Sequence, residues 1–315
     1  MNRTTAGPMA MFAVALLATC SSNSAFGQAP AGRPGIQPKT FESAEAAAKA
    51  LIDAASKNDT ADLTAILGSS AQGILTSGNT NQDREERLEF SKRAAAKYLV
   101  EHSSMDSADA VVLVGNDDWP FPIPLIRDSQ KWHFDPDLGA FELRARRIGE
   151  NELDTIDVCE GYVGAQEAYA AKALSAAGSH AYAQKIMGSP EGKDGLYPGS
   201  AVAGAFPALV PEDLAMAEAN SGVHGPKAFH GYYFRVLKGQ GANAPGGAHK
   251  YIAGNAMIGG FGLIAWPAEY GKTGIHTLVV NQDGKIFEKD FGPRTTTLIP
   301  SIMWYDPDGT WAAVE

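Results

Sequence analysis

The chain has 315 residues, of which 26 are Lys or Arg and 36 are Asp or Glu, and its formal net charge is −10. We expect no basic patch on so acidic a chain, which excludes a nucleic-acid partner. Apolar residues make up 44% and charged residues 20%, values that indicate a globular protein and exclude disordered, collagen-like and polytopic membrane classes. The length favours two domains.

Residues 1–27 have the pattern of a secretory signal. Arg3 supplies the positive start, the apolar stretch 9–18 is too short to span a bilayer, and small residues precede a cleavage point after Gly27. We therefore expect a periplasmic or secreted protein with a flexible lead-in at 28–39. No later run is apolar enough for a transmembrane segment after signal removal.

The two cysteines have different predicted roles. Cys20 lies within the leader, and its acylation is the alternative to cleavage, which would give a lipid-anchored protein. Cleavage after Gly27 leaves Cys159 as the lone thiol, so that no internal disulfide can form. Cys159 has acidic neighbours and no His close in sequence, so we expect a buried core residue and not a nucleophile.

Residues 40–137 are predicted to form an N-terminal α+β domain of helices followed by a small antiparallel sheet. Apolar periodicity and capping residues predict helices from Ser43, over 60–68 and over about 83–100, and strands over 110–115, 121–127 and 131–134.

The segment 119–125 carries prolines at three alternate positions. Because alternate backbone N–H groups of an extended chain point to opposite edges, all three missing donors fall on one side. The pattern predicts an edge strand that cannot pair with a second molecule. A polyproline-type docking segment is the alternative.

Residues 138–315 are predicted to form a second α+β domain, in which a long helix packs on a C-terminal antiparallel meander. The helix is expected over about 137–177, as one element or as two joined near Gly149. It carries a narrow apolar seam that we expect to face the sheet, formed by Ile156, Cys159, Val163, Gln166, Ala170 and Ala173.

The C-terminal third reads as strands. They are predicted over 231–237, 256–265, 274–280 and 285–290, and the turn Asp283-Gly284 favours a hairpin between the last two. A further turn and an edge strand are expected at the end of the chain. Residues 178–230 are expected to be mostly loop, with a short helix near 211–219.

Several runs resemble an uncharacterised exported bacterial family, domain of unknown function 2950. They are Arg146-Arg147-Ile148-Gly149-Glu150-Asn151-Glu152-Leu153, Ala165-Gln166-Glu167-Ala168-Tyr169, His230-Gly231-Tyr232-Tyr233-Phe234, Ala244-Pro245-Gly246-Gly247-Ala248, the stretch 259–271 and Val280-Asn281-Gln282-Asp283-Gly284. The likeness covers roughly residue 40 to the end. It implies fold boundaries but no activity. The chain departs from the pattern at 195–198, where the resemblance would place a Trp before the Pro.

At the level of fold, the C-terminal half is similar to the head domain of type IV pilin-like proteins. The likeness depends on a helix that is followed by Gly-Tyr and Tyr-Gly runs and by a hairpin. The membrane-inserting half-helix and its processing site are absent from the sequence. The likeness implies a helix-on-sheet architecture, and fold analogy alone does not give a function.

Known catalytic motifs do not fit. The sequence holds no HExxH, paired CxxC or Gly-x-Ser-x-Gly, and Gly271-Lys272-Thr273 lacks the earlier Gly of a phosphate loop. We therefore expect no cofactor. His133, Asp135 and Asp137 alternate and could chelate a cation from one strand face, although an aspartate before a helix commonly caps it.

A small set of aromatic and histidine side chains forms the candidate binding face. We predict that four side chains lie near one another on strands: His230, Tyr232, Trp266 and Tyr270. The alternative interpretation is that the aromatic residues pack in the core. The glycine-rich loop 239–247 is predicted to act as its mobile lid.

The leading hypothesis is an exported, non-catalytic protein that binds an envelope protein or a cell-wall component. One alternative is a hydrolase or metal-assisted enzyme built from scattered His and Asp residues. Convergence of two His with a carboxylate would favour that enzyme, whereas dispersed and separately paired His would favour the binder. A second alternative is a pseudopilin-like structural subunit.

Overall fold

The computed structural model describes residues 36–314 apart from 77, 104–107, 178–179, 190–193, 199–207 and 219–226. The expected signal at 1–27, including Cys20, and most of the lead-in at 28–39 lie outside the described residues.

Four helices open the described chain. They are α1 (Ala44–Ser56), α2 (Thr60–Leu67), α3 (Gln72–Leu75) and α4 (Thr80–Ala96). Ser43 and Asp59 cap α1 and α2, because each side-chain oxygen accepts a hydrogen bond from a first-turn N–H group. The helix predicted over about 83–100 is wrong at its end, since Lys97 is extended and a strand begins at Tyr98.

An antiparallel sheet follows these helices. Its strands are β1 (Tyr98–His102), β2 (Asp109–Val114), β3 (Trp119–Pro120), β4 (Leu125–Asp128) and β5 (Lys131–Phe134), in the order β1-β2-β4-β5 with β3 also beside β2. The prediction of one edge strand over 119–125 is wrong, because the prolines divide the segment and β4 lies between β2 and β5.

The apolar residues of this part gather in one core between the helices and the sheet. Its largest fully buried members are Leu51, Leu63, Leu67, Ile123, Leu125 and Phe134.

A single helix, α5 (Pro136–Ala177), runs for 42 residues. Gly149 does not interrupt it, so the one-helix alternative is confirmed. On the predicted seam Cys159, Gln166 and Ala170 are fully buried, and Ile156 and Val163 pack partly buried against the C-terminal core. The seam therefore faces the sheet as expected.

Residues 180–230 contain more order than predicted. The strands β6 (Lys185–Met187) and β7 (Gly195–Tyr197) pair in parallel, and a short helix α6 (Glu212–Met216) follows near its expected place. Much of this segment lies outside the described residues.

The C-terminal third is built of strands. In chain order they are β8 (Tyr232–Leu237), β9 (Gly239–Gln240), β10 (His249–Lys250), β11 (Ile252–Ala253), β12 (Ala256–Met257), β13 (Gly262–Pro267), β14 (His276–Asn281), β15 (Phe287–Asp290) and β16 (Ala312–Ala313). Five of them form an antiparallel sheet in the order β16-β15-β14-β13-β8. The predicted hairpin is confirmed, with Gly284 at φ +72° between β14 and β15, and β16 is the expected final edge strand.

The two faces of this sheet carry different cores. The helix side packs under α5, and its members include Tyr162, Tyr232, Phe234, Tyr251, Phe261 and Leu263. The outer side packs under residues 292–305, where a short helix α7 (Thr295–Leu298) lies between 3₁₀ turns. The buried members of this outer core are Leu237, Ala244, Ile264, Trp266, Val279, Ile299 and Tyr305.

The predicted α+β class is confirmed. Residues 36–315 form one compact unit, and the division at 137/138 into two domains stays a prediction. Within the described residues no helix is both long and apolar enough to cross a membrane.

Candidate functional site

The four predicted binding residues do not form one face. Tyr232 is fully buried on the helix side of the sheet, whereas Trp266, 8% exposed, belongs to the outer core. The reason is register, because Trp266 pairs with Tyr233 and Pro267 pairs with Tyr232, and neighbouring strand residues point to opposite faces. The predicted shared binding face for these two aromatic residues is therefore wrong.

Glu152 on α5 fixes Tyr232 and the start of β14. Its Oε1 accepts hydrogen bonds from the backbone N–H groups of Ile275 at 2.8 Å and His276 at 2.9 Å, and from the Tyr232 hydroxyl at 3.3 Å. The Tyr232 hydroxyl also lies 3.0 Å from the carbonyl oxygen of His276. Burial, followed by the Glu152 charge, raises the pKa of Tyr232. These bonds hold the helix to the sheet.

The His276 ring lies beside the same carboxylate. Its Nδ1 is 3.3 Å from a carboxylate oxygen of Glu152 and 4.0 Å from Oε2 of Glu288. One histidine between two carboxylates is an ion-pair arrangement, and it lacks the second histidine that would favour the enzyme hypothesis.

His230 and Tyr270 each have their own acidic partner. The His230 Nδ1 lies 2.7 Å from Oδ2 of Asp154, and the Tyr270 hydroxyl donates to Oδ2 of Asp290 at 3.2 Å. These side chains are therefore already paired within the chain.

The loop 239–247 is held by buried Gln240, whose side-chain amide donates to the carbonyls of Pro245 at 2.6 Å and Gly247 at 2.9 Å. The Tyr251 hydroxyl donates to the amide oxygen of Gln240 at 3.0 Å. His249 adds contacts of 3.0 Å to the carbonyls of Gly247 and Gly259. So many fixed contacts contradict the expectation of a mobile lid.

The predicted cation set is divided by the start of α5. Asp135 caps the helix, because its Oδ1 accepts from the N–H groups of Asp137 and Leu138, each at 3.0 Å. His133 lies on β5, before the helix begins. In the described part of the chain no three His, Cys, Asp or Glu side chains are placed to hold a metal ion.

The remaining described histidines are also separate. His102 lies 3.5 Å from Glu45, and His180 packs edge-on against Tyr182. His224 lies outside the described residues. Cys159 is fully buried, and burial, followed by the charge of Glu160, raises the pKa of its thiol to about 12, as expected for a core residue.

The outer face of the sheet differs, because three of its cations make no direct ion pair within the described chain: Arg235, Lys285 and Lys289. At the β8 edge, the Arg235 guanidinium lies 5.6 Å from the Trp266 ring centre, and the Tyr233 ring lies 6.1 Å from it. Arg235 donates through Nη2 to the carbonyl oxygens of Ile299 at 2.9 Å and Ile302 at 2.5 Å. Burial lowers the pKa of Arg235.

Along β15 on the same face lies a row that we call the basic strand surface, formed by Phe287 and Lys289 on the strand, Lys285 just before it and Phe291 just after it. Lys285 Nζ lies 5.0 Å from the Phe287 ring centre, and Lys289 Nζ lies 5.0 Å from that of Phe291. Trp311 packs edge-on against Phe291. Neither lysine is within ion-pair distance of a carboxylate in the described chain; Lys289 donates to the hydroxyl of Thr310.

Sequence reasoning missed the basic strand surface because it took net charge as evidence against any basic patch. The sequence does contain a signal for this surface. Lysine and phenylalanine alternate at 285, 287, 289 and 291, and residues spaced by two share one face of an extended chain. The opposite face of β15 carries Glu288 and Asp290.

The chain matches one family model, described as a protein of unknown function (DUF2950), over residues 38–314. No curated protein matches it, and no solved structure matches it, so the pilin-like likeness stays a prediction. Because the match spans nearly the whole chain and agrees with the resemblance of its motifs, the chain belongs to the DUF2950 family.

Proposed function

We propose that this protein is exported and binds an anionic component of the cell wall through the basic strand surface, without catalysing a reaction. The observation that carries the proposal is the row of Lys285 and Lys289, two lysines at and just before β15 that lie over aromatic rings and make no direct ion pair in the described chain, in a protein of net charge −10.

Several other lysines of the described chain pair directly with a carboxylate. Lys49 lies 2.6 Å from Asp53, Lys272 lies 2.7 Å from Glu269, and Lys185 lies 3.1 Å from Asp194. Such local ion pairs neutralise a positive field at the surface. Lys285 and Lys289 lack such a direct ion pair, although the Thr310 hydroxyl links Lys289 to Asp308. We expect their positive charge to be complemented by an acidic polymer.

The aromatic rings support the same surface. Phe287, Phe291 and Trp311 are half-buried and pack with the outer core. The ring faces hold the lysine ammonium groups at 5.0 Å, a geometry in which cation–π attraction limits their freedom.

The pattern of histidines favours binding over catalysis. His230 and His102 each lie beside one side-chain carboxylate, His276 lies beside two, and His249 contacts two carbonyl oxygens. This is the dispersed arrangement that the sequence argument attached to a binding protein. The leader at 1–27 supports export, and N-terminal sequencing of protein from the periplasmic fraction should find Gln28 first.

Co-sedimentation with isolated cell-wall sacculi tests the binding. The variant K285E/K289E should lose at least ~tenfold in apparent affinity because repulsion replaces two charge contacts. Binding of the unchanged protein should also weaken as salt rises. The matched control is K49E/K92E, which changes the net charge equally at lysines that already have acidic partners.

Equal loss in both double variants would show that only net charge matters. Unchanged binding in K285E/K289E, or no binding by the unchanged protein, would remove the proposal.

A further inference from the structure

We propose that Tyr233, Arg235 and Trp266 form a binding site for a carboxylate group, which we call the Arg235 site. It lies at the β8 edge of the outer face, away from the basic strand surface on β15, and it does not depend on the proposed function. Its ligand class is a small molecule, or the end of a larger one, that carries a carboxylate beside an apolar ring or ring-like face.

Arg235 holds the charge of the site. Its Nη2 is used by the carbonyls of Ile299 and Ile302, and its Nε is enclosed without a hydrogen-bond partner. Its Nη1 makes no hydrogen bond within the described part of the chain and is not among the enclosed atoms. The two N–H groups of Nη1 are therefore not used by any described residue.

Tyr233 supplies a second open group. It lies two residues before Arg235 and so on the same face of β8. Its ring is half-buried against Trp266, while its hydroxyl neither bonds within the described chain nor is enclosed. The Cα atoms of Tyr233 and Arg235 are roughly 7 Å apart along the strand, and Trp266 lies beside both side chains. A carboxylate on Nη1 can therefore place its apolar part along the tyrosine.

Charge balance indicates that an anion belongs there. Arg235 is half-buried, and no carboxylate in the described chain lies within ion-pair distance. By contrast Arg93 lies 2.7 Å from Asp117, and Arg146 lies 2.8 Å from Glu142. A partly desolvated cation without an anion is unfavourable, and a planar carboxylate is the partner that a guanidinium fits best.

A purely structural role for Arg235 is the competing explanation. Its two carbonyl partners follow α7, so the side chain fastens residues 299–302 to the sheet. That role accounts for Nη2. It does not account for the open Nη1, nor for an open tyrosine hydroxyl beside the same indole.

Titration with benzoate tests the site, with the neutral isostere benzamide as the control ligand. The readout is the indole N–H resonance of Trp266 in a ¹H–¹⁵N spectrum of the purified protein. We expect saturable shifts with benzoate and at least ~tenfold weaker binding of benzamide, as one charge-assisted contact implies. Tyr233→Phe removes only the open hydroxyl and should weaken benzoate binding ~threefold or more.

Arg235→Met should abolish binding, and Tyr233→Phe keeps the test decisive if that variant fails to fold. Equal binding of benzoate and benzamide, or unchanged benzoate affinity in Tyr233→Phe, would overturn the proposal. The K285E/K289E variant should keep full benzoate binding, so that failure of the basic strand surface and failure of the Arg235 site are told apart.

Discussion

The two faces of the C-terminal sheet differ in how their polar side chains are bonded. On the helix side, polar side chains are enclosed and used: buried Gln166 donates to the Tyr162 hydroxyl at 2.8 Å and the Ala183 carbonyl at 2.9 Å, and its oxygen accepts from the Ala183 N–H at 2.8 Å. On the outer side, Arg235 and Lys285 keep charge without an acidic partner. The helix side therefore uses its polar groups within the protein, whereas the outer side keeps cationic groups available for the binding that we propose.

The largest effect is expected from breaking the helix-side network at Gln166. Gln166→Ala leaves the N–H and C=O of Ala183 without partners and opens a cavity, which should lower the free energy of unfolding by ~3 kcal/mol. Urea denaturation followed by circular dichroism measures it.

Gln184 provides the control for that experiment. It also donates to a backbone carbonyl, that of Asn255 at 2.7 Å, but at an exposed position. Gln184→Ala should change stability by less than ~0.5 kcal/mol. A similar loss of unfolding free energy in both variants would mean that burial of Gln166 does not increase the cost of losing its hydrogen bonds.

A smaller effect is expected from comparing two glycines. A Cβ at Gly274 would overlap the phenol of Tyr232, which is fully buried and cannot move away, so Gly274→Ala should cost ~2 kcal/mol. The nearest atoms to a Cβ at Gly241 belong to the side chain of exposed Asp306. That side chain can turn aside by giving up two surface hydrogen bonds, which it accepts from the backbone and side-chain N–H groups of Asn243. Gly241→Ala should cost ~1 kcal/mol or less.

Thermal unfolding of the two glycine variants side by side gives the comparison. If Gly241→Ala is the more damaging of the pair, the contrast between a fixed helix side and an adaptable outer side is wrong.

The smallest effect is expected at Glu218, at the margin of the helix-side core. Its Oε2 accepts from the N–H groups of Ile186 at 3.0 Å and Met187 at 2.9 Å, yet burial raises its pKa. The folded protein therefore keeps the Glu218 carboxyl protonated to a higher pH than the unfolded chain does, in which a glutamate titrates at pH ~4.3. Stability from this group is therefore present at low pH and falls as pH rises towards the folded pKa.

Glu218→Gln removes that titration while keeping an oxygen acceptor. The unfolding free energy of the variant relative to the unchanged protein should rise between about pH 4 and neutrality. A constant difference across this range would show that Glu218 titrates alike in both states.

Local pattern predicted more of the fold than of the site. The seam containing Cys159 and Gln166 and the Asp283-Gly284 turn depend on neighbours in sequence, so periodicity and turn chemistry found them. The end of α4 was missed because Lys97 and Tyr98 carry no helix-stopping residue.

The site depended on contacts that no local pattern contains. Glu152 meets the N–H of Ile275 across 123 positions of the chain, and the pairing of Trp266 with Tyr233 depends on the register of two strands 30 residues apart. Period two does show that Tyr232 and Tyr233 face opposite ways, but not which of them joins Trp266.

The continuity of α5 restricts how the chain can change in length. Near its middle, Arg146 donates to the carbonyl of Pro120 at 2.9 Å and Asn151 to that of Thr273 at 2.8 Å, and Gln166 is bound further along. One extra residue between these points would turn everything beyond it by ~100° about the helix axis. Seven extra residues would restore the angle but move everything beyond them by roughly 10 Å along the axis. Insertions are therefore compatible with the loops and not with this part of α5.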